Sequence, residues 1–343
     1  MTRKLTDLLF AIGDSQTKLS RKSLAPLSDL NNQELSQFQE AWARFSPARR
    51  LELLNALVDL AEEQIEYDYR TILRWTLHDA DARIRVRSIQ GLWEDERPRL
   101  IPAFQNLLLH DAVPEVRAAA ATALGRFVYW GEVGAVESPL LADAAQALWD
   151  SYYNEREHLP VRQRALEALA ASSEASVTRA IENAIFSDEP ELQLSALAAM
   201  GRNADPRWIA YLLPELAEDD PALRLEAVRS LGELEARAAV RPIIQMIAQE
   251  TNAQVRLAAL AALGQIGGEE ARRALKAASE WDDEATVAAA EEALTEIMAS
   301  DGNTYDLINQ ILGYDESEDG PDADYYDDSL DEELRDLLDE GER

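Results

Sequence analysis

The residues of this 343-residue chain best suited to hold a metal are its three histidines and the carboxylates beside two of them. His78 and His110 occupy matching segments, WTLHDADARIR and LLLHDAVPEVR, and an aspartate follows each (Asp79, Asp111). An imidazole and a carboxylate from each of two stacked segments would make a zinc-type donor set. Both histidines, however, close a helical apolar pattern, where an imidazole suits the helix dipole and the free carbonyls. Segments packed roughly 10 Å apart also hold two rings too far from each other for one ion. Capping is therefore expected, with no metal and no other cofactor. His158 precedes Leu159 and has no obvious partner. Cysteine is absent, which removes thiolate chemistry and disulfides. No serine-nucleophile motif or glycine-rich phosphate loop occurs, so no catalytic residues are assigned.

Charge narrows the partners. Lys and Arg total 33 against 65 Asp and Glu, a formal charge of -32. Nucleic acid and anionic membrane surfaces repel such a polyanion, so protein partners are expected. No apolar run approaches the roughly 18 to 20 residues of a membrane span. The run Leu8 to Ile12 is too short for a signal-peptide core, so a cytoplasmic location is expected. Apolar residues make up 47 % of the chain, enough for a large core.

The elements that must position these side chains repeat. The motif Val-Arg-x-x-Ala-x-x-x-Leu-Gly is clearest at 116–125 and 255–264, with weaker copies starting at 84, 161, 192, 223 and 286. Successive starts lie 32, 45, 31, 31, 32 and 31 residues apart. Each interval reads as one amphipathic helix, a turn rich in Asp, Pro or Asn, and a second helix opened by the motif. Pro114, Pro160, Pro190 and Pro221 fall at or just before the first turn of that helix, where a missing N–H costs little. Gly125, Gly201, Gly232 and Gly264 stand near its end. Offsets 0, 4 and 8 share one face and hold a branched residue, a small one and Leu or Met, so two helices approach closely at offset 4. One such hairpin cannot bury both of its apolar faces, and stacking solves this.

The period, the turn chemistry and these Ala and Leu positions resemble HEAT repeats, notably the short variety found in phycobilin lyases. The resemblance covers about residues 68–299 and implies an all-α solenoid, a right-handed superhelix of about seven hairpins. Such repeats serve scaffolds, adaptors and a few enzymes. Among the enzymes, the deoxyhypusine hydroxylases hold a di-iron centre through repeated His-Glu pairs; no His here is followed by Glu, which disfavours that activity. The expected organisation is a mobile basic segment over 1–30, a helical cap over 31–67 and the solenoid over 68–299. An aromatic insertion occupies 126–159, a capping helix 300–314 and an acidic tail 315–343.

Four features bear on binding. Arginine recurs at offset 1 (Arg85, Arg117, Arg162, Arg224, Arg256), interrupted by Gln193 and Val287. The expected partners are turn carboxylates such as Asp79, Asp111, Asp188 and Asp219, in exposed pairs contributing about 0 to 1 kcal/mol each. The long interval collects aromatic residues, of which Trp130, Trp149, Tyr152 and Tyr153 are either a partner site or rings buried against one another. Offsets 3 and 6 are expected to line a groove along the second helices, with Arg87, Gln90, Arg164, Glu167, Glu226 and Arg229, beside a bland stretch of Ala119, Ser195, Ala198, Ala258 and Ala261. Finally, the tail segment SLDEELRDLLDE carries a capping box, Ser329 with Glu332, and a stripe of Leu330, Leu334, Leu337 and Leu338 suited to folding into a groove. The favoured function is a non-enzymatic protein-interaction scaffold. The alternatives are a lyase-like or chromophore-handling protein using the aromatic insertion, and an acidic, nucleic-acid-mimicking binder of a basic protein.

Overall fold

A computed structural model describes residues 2–14 and 18–300. Those residues form helices and connecting turns, with no strand among them. Three helices come first: α1 (Thr2–Gly13), α2 (Asn32–Trp42) and α3 (Pro47–Glu63). Seven hairpins follow. They are α4 (Arg70–Thr76) with α5 (Ala82–Gly91), α6 (Ile101–His110) with α7 (Pro114–Glu132), and α8 (Leu140–Tyr153) with α9 (Leu159–Leu169). Then come α10 (Ala175–Ile185) with α11 (Pro190–Asn203), α12 (Ile209–Glu215) with α13 (Pro221–Glu233), α14 (Val240–Ile247) with α15 (Ala253–Ile266), and α16 (Glu269–Ala278) with α17 (Glu284–Ser300). The chain is an all-α solenoid.

Local chemistry sets the starts. Asn31 caps α2 in a full capping box with Glu34, and Ser46 caps α3 ahead of Pro47. Proline opens the second helix in four hairpins, at Pro114, Pro160, Pro190 and Pro221. Offsets 0, 4, 5 and 8 turn inward: in α7 these are Val116, Ala120, Ala121 and Leu124, each fully buried. The core is one continuous ribbon running from Leu5 to Ile297.

The motif glycines do not end their helices. Gly125, Gly201, Gly232 and Gly264 are buried inside α7, α11, α13 and α15, and each lies against a small residue at offset 7 of the next unit. A Cβ at Gly125 would stand 2.7 Å from Cβ and 2.8 Å from Cα of Ala168, and one at Gly264 would stand 2.9 Å from Cβ of Ala293. Missing side chains therefore let the second helices pack directly on one another, whereas the first helices, α6 on α8 excepted, meet their counterparts sparingly. A stack that is tighter along its second helices curves toward them, so they line the inner face.

Where a mobile segment is expected at the N-terminus, the structure places docked chain. Leu5, Leu9 and Ile12 of α1 are buried, as are Leu24 and Leu27, and Arg21 pairs with Asp59 and Glu63 of α3. A basic composition did not signal this, because the apolar positions at spacings of four and three outweigh it. The expected capping helix at 300–314 and the tail at 315–343, with Leu334, Leu337 and Leu338, lie outside the described residues, apart from Ser300, which ends α17. No helix among the described residues is long and apolar enough to cross a membrane.

Candidate functional site

The arginine row stitches neighbouring hairpins together along the turn edge. Nε and Nη2 of Arg85 both donate to Asp111 at 2.7 Å, and its Nη1 donates to the carbonyls of Asp79 and Ala80. Arg117 repeats this with Glu157 (3.0 and 2.6 Å) and the Asp111 carbonyl, and Arg224 with Glu250 (2.8 and 2.9 Å) and the carbonyls of Glu218 and Asp219. Arg162 reaches Glu189 and Arg256 reaches Asp283, while Gln193 keeps only the bond to its own turn, at Ser187. Arg85, Arg117, Arg224 and Arg256 thus bind carbonyls of the turn before their helix, Arg162 binds the Tyr152 carbonyl at the end of α8, and each arginine reaches a carboxylate of the next unit's turn.

Two expectations need correction. Asp188 and Asp219 do not supply the carboxylates; Glu189 and Glu250 do, because the acceptor must come from the following turn. Nor are the best pairs exposed: the side chains of Arg85 and Asp111 retain 12 and 6 % of their accessible surface. Burial pushes the Asp111 carboxyl up, but the Arg85 bonds, the Val113 N–H and the charges of Arg85 and Arg117 together hold it below the usual carboxylate range; Glu157 is held down in the same way by Arg117 and the His158 N–H. With its donors engaged, the row is not an anion-binding ridge. The sequence reading also missed its first rung. Arg50, in the hairpin of α2 and α3, donates to the carbonyls of Trp42 and Ala43 and faces Asp79 at 3.6 Å. The segment RRLELLNALV (49–58) fits the motif with Arg50 at offset 1, but its large Leu53 at offset 4 conceals the match.

The commitment of Asp79 and Asp111 also decides the histidines. Trp42 Nε1 donates to Asp79 at 2.7 Å, Arg85 holds Asp111, and both His78 and His110 are exposed at helix ends. Among the described residues no group of three or more His, Asp or Glu is placed to hold a metal.

The insertion lengthens α7 and α8, and its rings turn on each other. Phe127 is buried between Phe104 and Trp130, the latter edge-on at 5.2 Å. Trp149 stacks on Tyr153 at 5.4 Å and 12°, and Tyr152 is buried with its hydroxyl donating to the Ala180 carbonyl. Only Tyr153 of the four candidates is largely exposed, at 63 %. These contacts make the extra length a packing device. We expect Trp149→Ala to cost about 2 kcal/mol of stability, below the full core value because the ring is only part-buried. Denaturant unfolding checks this, with partner binding on the inner face unchanged.

On the inner face the candidates separate. Arg87 is committed to Asp59 of α3, and Arg164 to Glu167. Glu167 and Ser195, expected at the surface, are buried: Glu167 receives Arg164, Arg202 and the Ser195 hydroxyl at 3.1 Å. Glu226 and Arg229 stay loosely paired at 3.9 Å. Burial pushes the Glu226 carboxyl above its ordinary value, and Glu233 moves the same way for the same reason. Beside them a groove of about 530 Å³ runs between α13 and α15, floored by Leu257, Ala258, Ala261 and Ala262 and flanked by Arg229 and Glu233.

Glu233 and Gln265 were not foreseen. Both follow a motif glycine at offset 10, one place beyond the ten-residue motif, where Arg126 and Arg202 also stand. The glycines make room for them: a Cβ at Gly201 would lie 2.5 Å from Glu233 Oε2, and one at Gly232 would lie 2.3 Å from Gln265 Oε1. Reading the motif one residue further would have exposed this polar row.

No curated protein matches the chain. Similar solved structures include human deoxyhypusine hydroxylase in complex with glycerol, at 16 % identity over 87 % of this chain and 96 % of that one, with a TM-score of 0.35. A chain of the Kap95:Nup1 complex is 13 % identical over 93 % of this chain and 50 % of its own, with a TM-score of 0.47, and Kap121p is 14 % identical over 90 % and 47 %, with a TM-score of 0.35. This chain therefore spans about half the length of those two. A family model described as HEAT repeats matches residues 70–159 and 209–295, without distinguishing the phycobilin-lyase-like variety. Those two regions make up just over half of a chain whose hairpins already repeat turn, arginine and glycine in register, and it belongs to the HEAT-repeat family.

Proposed function

We propose that the protein is a non-enzymatic scaffold whose inner face holds a basic helix or extended peptide across α13 and α15. The observation that carries this reading is the pair of under-compensated carboxylates, Glu226 and Glu233, beside a groove floored by small apolar side chains. A cation from a partner offsets the cost of keeping the Glu226 charge part-buried and pairs with Glu233, which stands exposed at the margin of the groove. The pair is seven residues apart on α13, about 10.5 Å along the helix. That rise matches two helical turns of a partner, or three residues of extended chain. Leu257 and the alanines leave room for an apolar side chain between the two cations. Packed rings in the insertion favour this reading over a ligand-handling one, since they face one another rather than a chamber.

The test is binding of a cationic amphipathic peptide to the full chain and to the Glu226→Gln/Glu233→Gln variant. Loss of two charge-assisted contacts is expected to weaken binding about tenfold or more. Equal affinities would overturn the reading. The same pair gives a pH signature. Because both carboxyls are raised, they take up protons as pH falls toward the carboxylate range, before ordinary ones do, and binding weakens there. The fold survives that window. Protonation relieves the cost of their buried charge, and the lowered carboxyls of Asp111, Glu157 and Glu250 stay ionised to lower pH.

A further inference from the structure

At the other end of the solenoid an apolar cleft of about 620 Å³ opens between α1 and α2, away from the groove on α13 and α15. Leu9, Phe10, Ala41 and Phe45 line it, with Arg44 alongside Asp14 and Glu40 on its charged margin. Phe10 is 85 % exposed, whereas Leu5, Leu9 and Ile12 of the same helix are buried; its ring is an apolar surface that the fold does not cover. Gln37 also lines the cleft, and its buried Oε1 has no hydrogen-bond partner. An occupant with a row of leucines and an O–H or N–H to donate would complete both features.

The chain carries such a segment. Leu330, Leu334, Leu337 and Leu338 fall on one helical stripe, and Tyr325 and Tyr326 stand just before it with hydroxyls to donate. Charge points to the same pairing. Residues 1–126 hold 17 bases against 18 acids, and the first 22 hold five against two, while residues 301–343 hold two bases against 17 acids. Of the whole chain, the N-terminal third is the part that repels this segment least.

Reach decides which molecule supplies it. From the hairpin of α2 and α3 to α17 there are seven steps of roughly 10 Å, or about 70 Å. The 28 residues at 301–328 have a root-mean-square span of about 30 Å as a flexible chain, so stretching them across their own solenoid is entropically costly. We propose that the cleft between α1 and α2 receives residues 329–340 of a second copy of this chain, in a head-to-tail association. Such a contact is heterologous, so assembly grows with concentration until it closes into a ring or extends as an open row.

The test uses the full chain. Sedimentation over a wide concentration range is expected to show reversible self-association. It should weaken at least about tenfold in Phe10→Asp and in Leu334→Asp/Leu338→Asp, because each places a charge in an apolar contact. A synthetic peptide of residues 325–343 is expected to bind the full chain and disperse the assemblies. Phe186→Asp, at another exposed aromatic on α10's end (76 % exposed), is expected to change nothing. Phe10 and Phe186 are both solvent-facing, so neither variant challenges the fold, and thermal melting confirms it. A chain that stays monomeric overturns the proposal, as does a segment that docks only within its own molecule. Equal effects of Phe10→Asp and Phe186→Asp overturn it as well. None of these results bears on Glu226 and Glu233, so the inner-face reading stands or falls separately.

Discussion

Gly125→Val is expected to destabilise the protein by about 3 kcal/mol, the upper part of the usual range for overpacking. The reason is the nature of the neighbour. The first added carbon lies 2.8 Å from Ala168 Cα and 3.3 Å from its carbonyl oxygen, and backbone cannot swing aside as a long side chain can. Relief requires α7 and α9 to separate, which breaks the closest contact between second helices in that region. Intrinsic propensity opposes this only weakly, since replacing a helical glycine gains about 1 kcal/mol at most. Denaturant unfolding measures the loss, and amide exchange should place it at the α7–α9 contact. A second pair makes the prediction specific: Gly125→Ala alone is harmful, and adding Ala168→Gly returns only part of the loss, because it removes the 2.7 Å contact with Cβ and leaves the 2.8 Å contact with Cα. If Gly125→Val matches wild type, the glycines are not what brings the second helices together.

Much of this architecture was legible because a solenoid writes its contacts locally. Each hairpin meets only its neighbours, so the period of about 31 residues carried the fold, and offsets 0, 4 and 8 marked the buried face correctly. Within the solenoid, what one hairpin did not show depended on the next unit. Glycine at offset 9 stands near the end of its helix in three units, as expected, but its role as a contact appears only when Ser230, Ala262 or Ala293 arrives from the following one. The same holds for the arginines, whose own turns offer acids at the right distance in sequence, although the bonds run to Glu157 or Glu250. Glu167 and Ser195 looked exposed because periodicity gives a direction on one helix but does not show that Glu167 of α9 will meet Ser195 and Arg202 of α11. At the N-terminus the apolar spacing of Leu5, Leu9 and Ile12 was present but short, and the five nearby bases drew the reading toward a solvated segment. The inner-face carboxylates were partly legible: Glu226 at offset 3 was found, whereas Glu233 fell one residue outside the motif.

The glycine contacts and the arginine bonds hold each hairpin at two places, the inner edge and the turn edge, and together they fix its rotation against the next. Arg85→Met should therefore cost nearly as much as Gly125→Val, about 3 kcal/mol at neutral pH, the low end for breaking a buried pair. The loss comes mainly from what is left behind. Asp111 would keep one backbone bond, from the Val113 N–H, with its charge still buried, and the carbonyls of Asp79 and Ala80 would lose their donor. Adding Asp111→Asn should recover part of the loss, because an amide accepts the same Val113 bond without a charge to bury. The pH dependence separates this cause from simple loss of packing. In the wild type the Asp111 carboxyl is depressed, so its contribution is fully present above the ordinary aspartate value of about 3.9 and disappears as pH falls through the lower folded value. Without Arg85 only the Val113 N–H and the Arg117 charge oppose burial, so that carboxyl rises from its wild-type position and the variant loses less stability on protonation. The gap between Arg85→Met and wild type should then shrink as pH drops through the carboxylate range. A gap that is the same at neutral and acidic pH would show that the methylene stem of Arg85, and not its bond to the next turn, is what the fold loses.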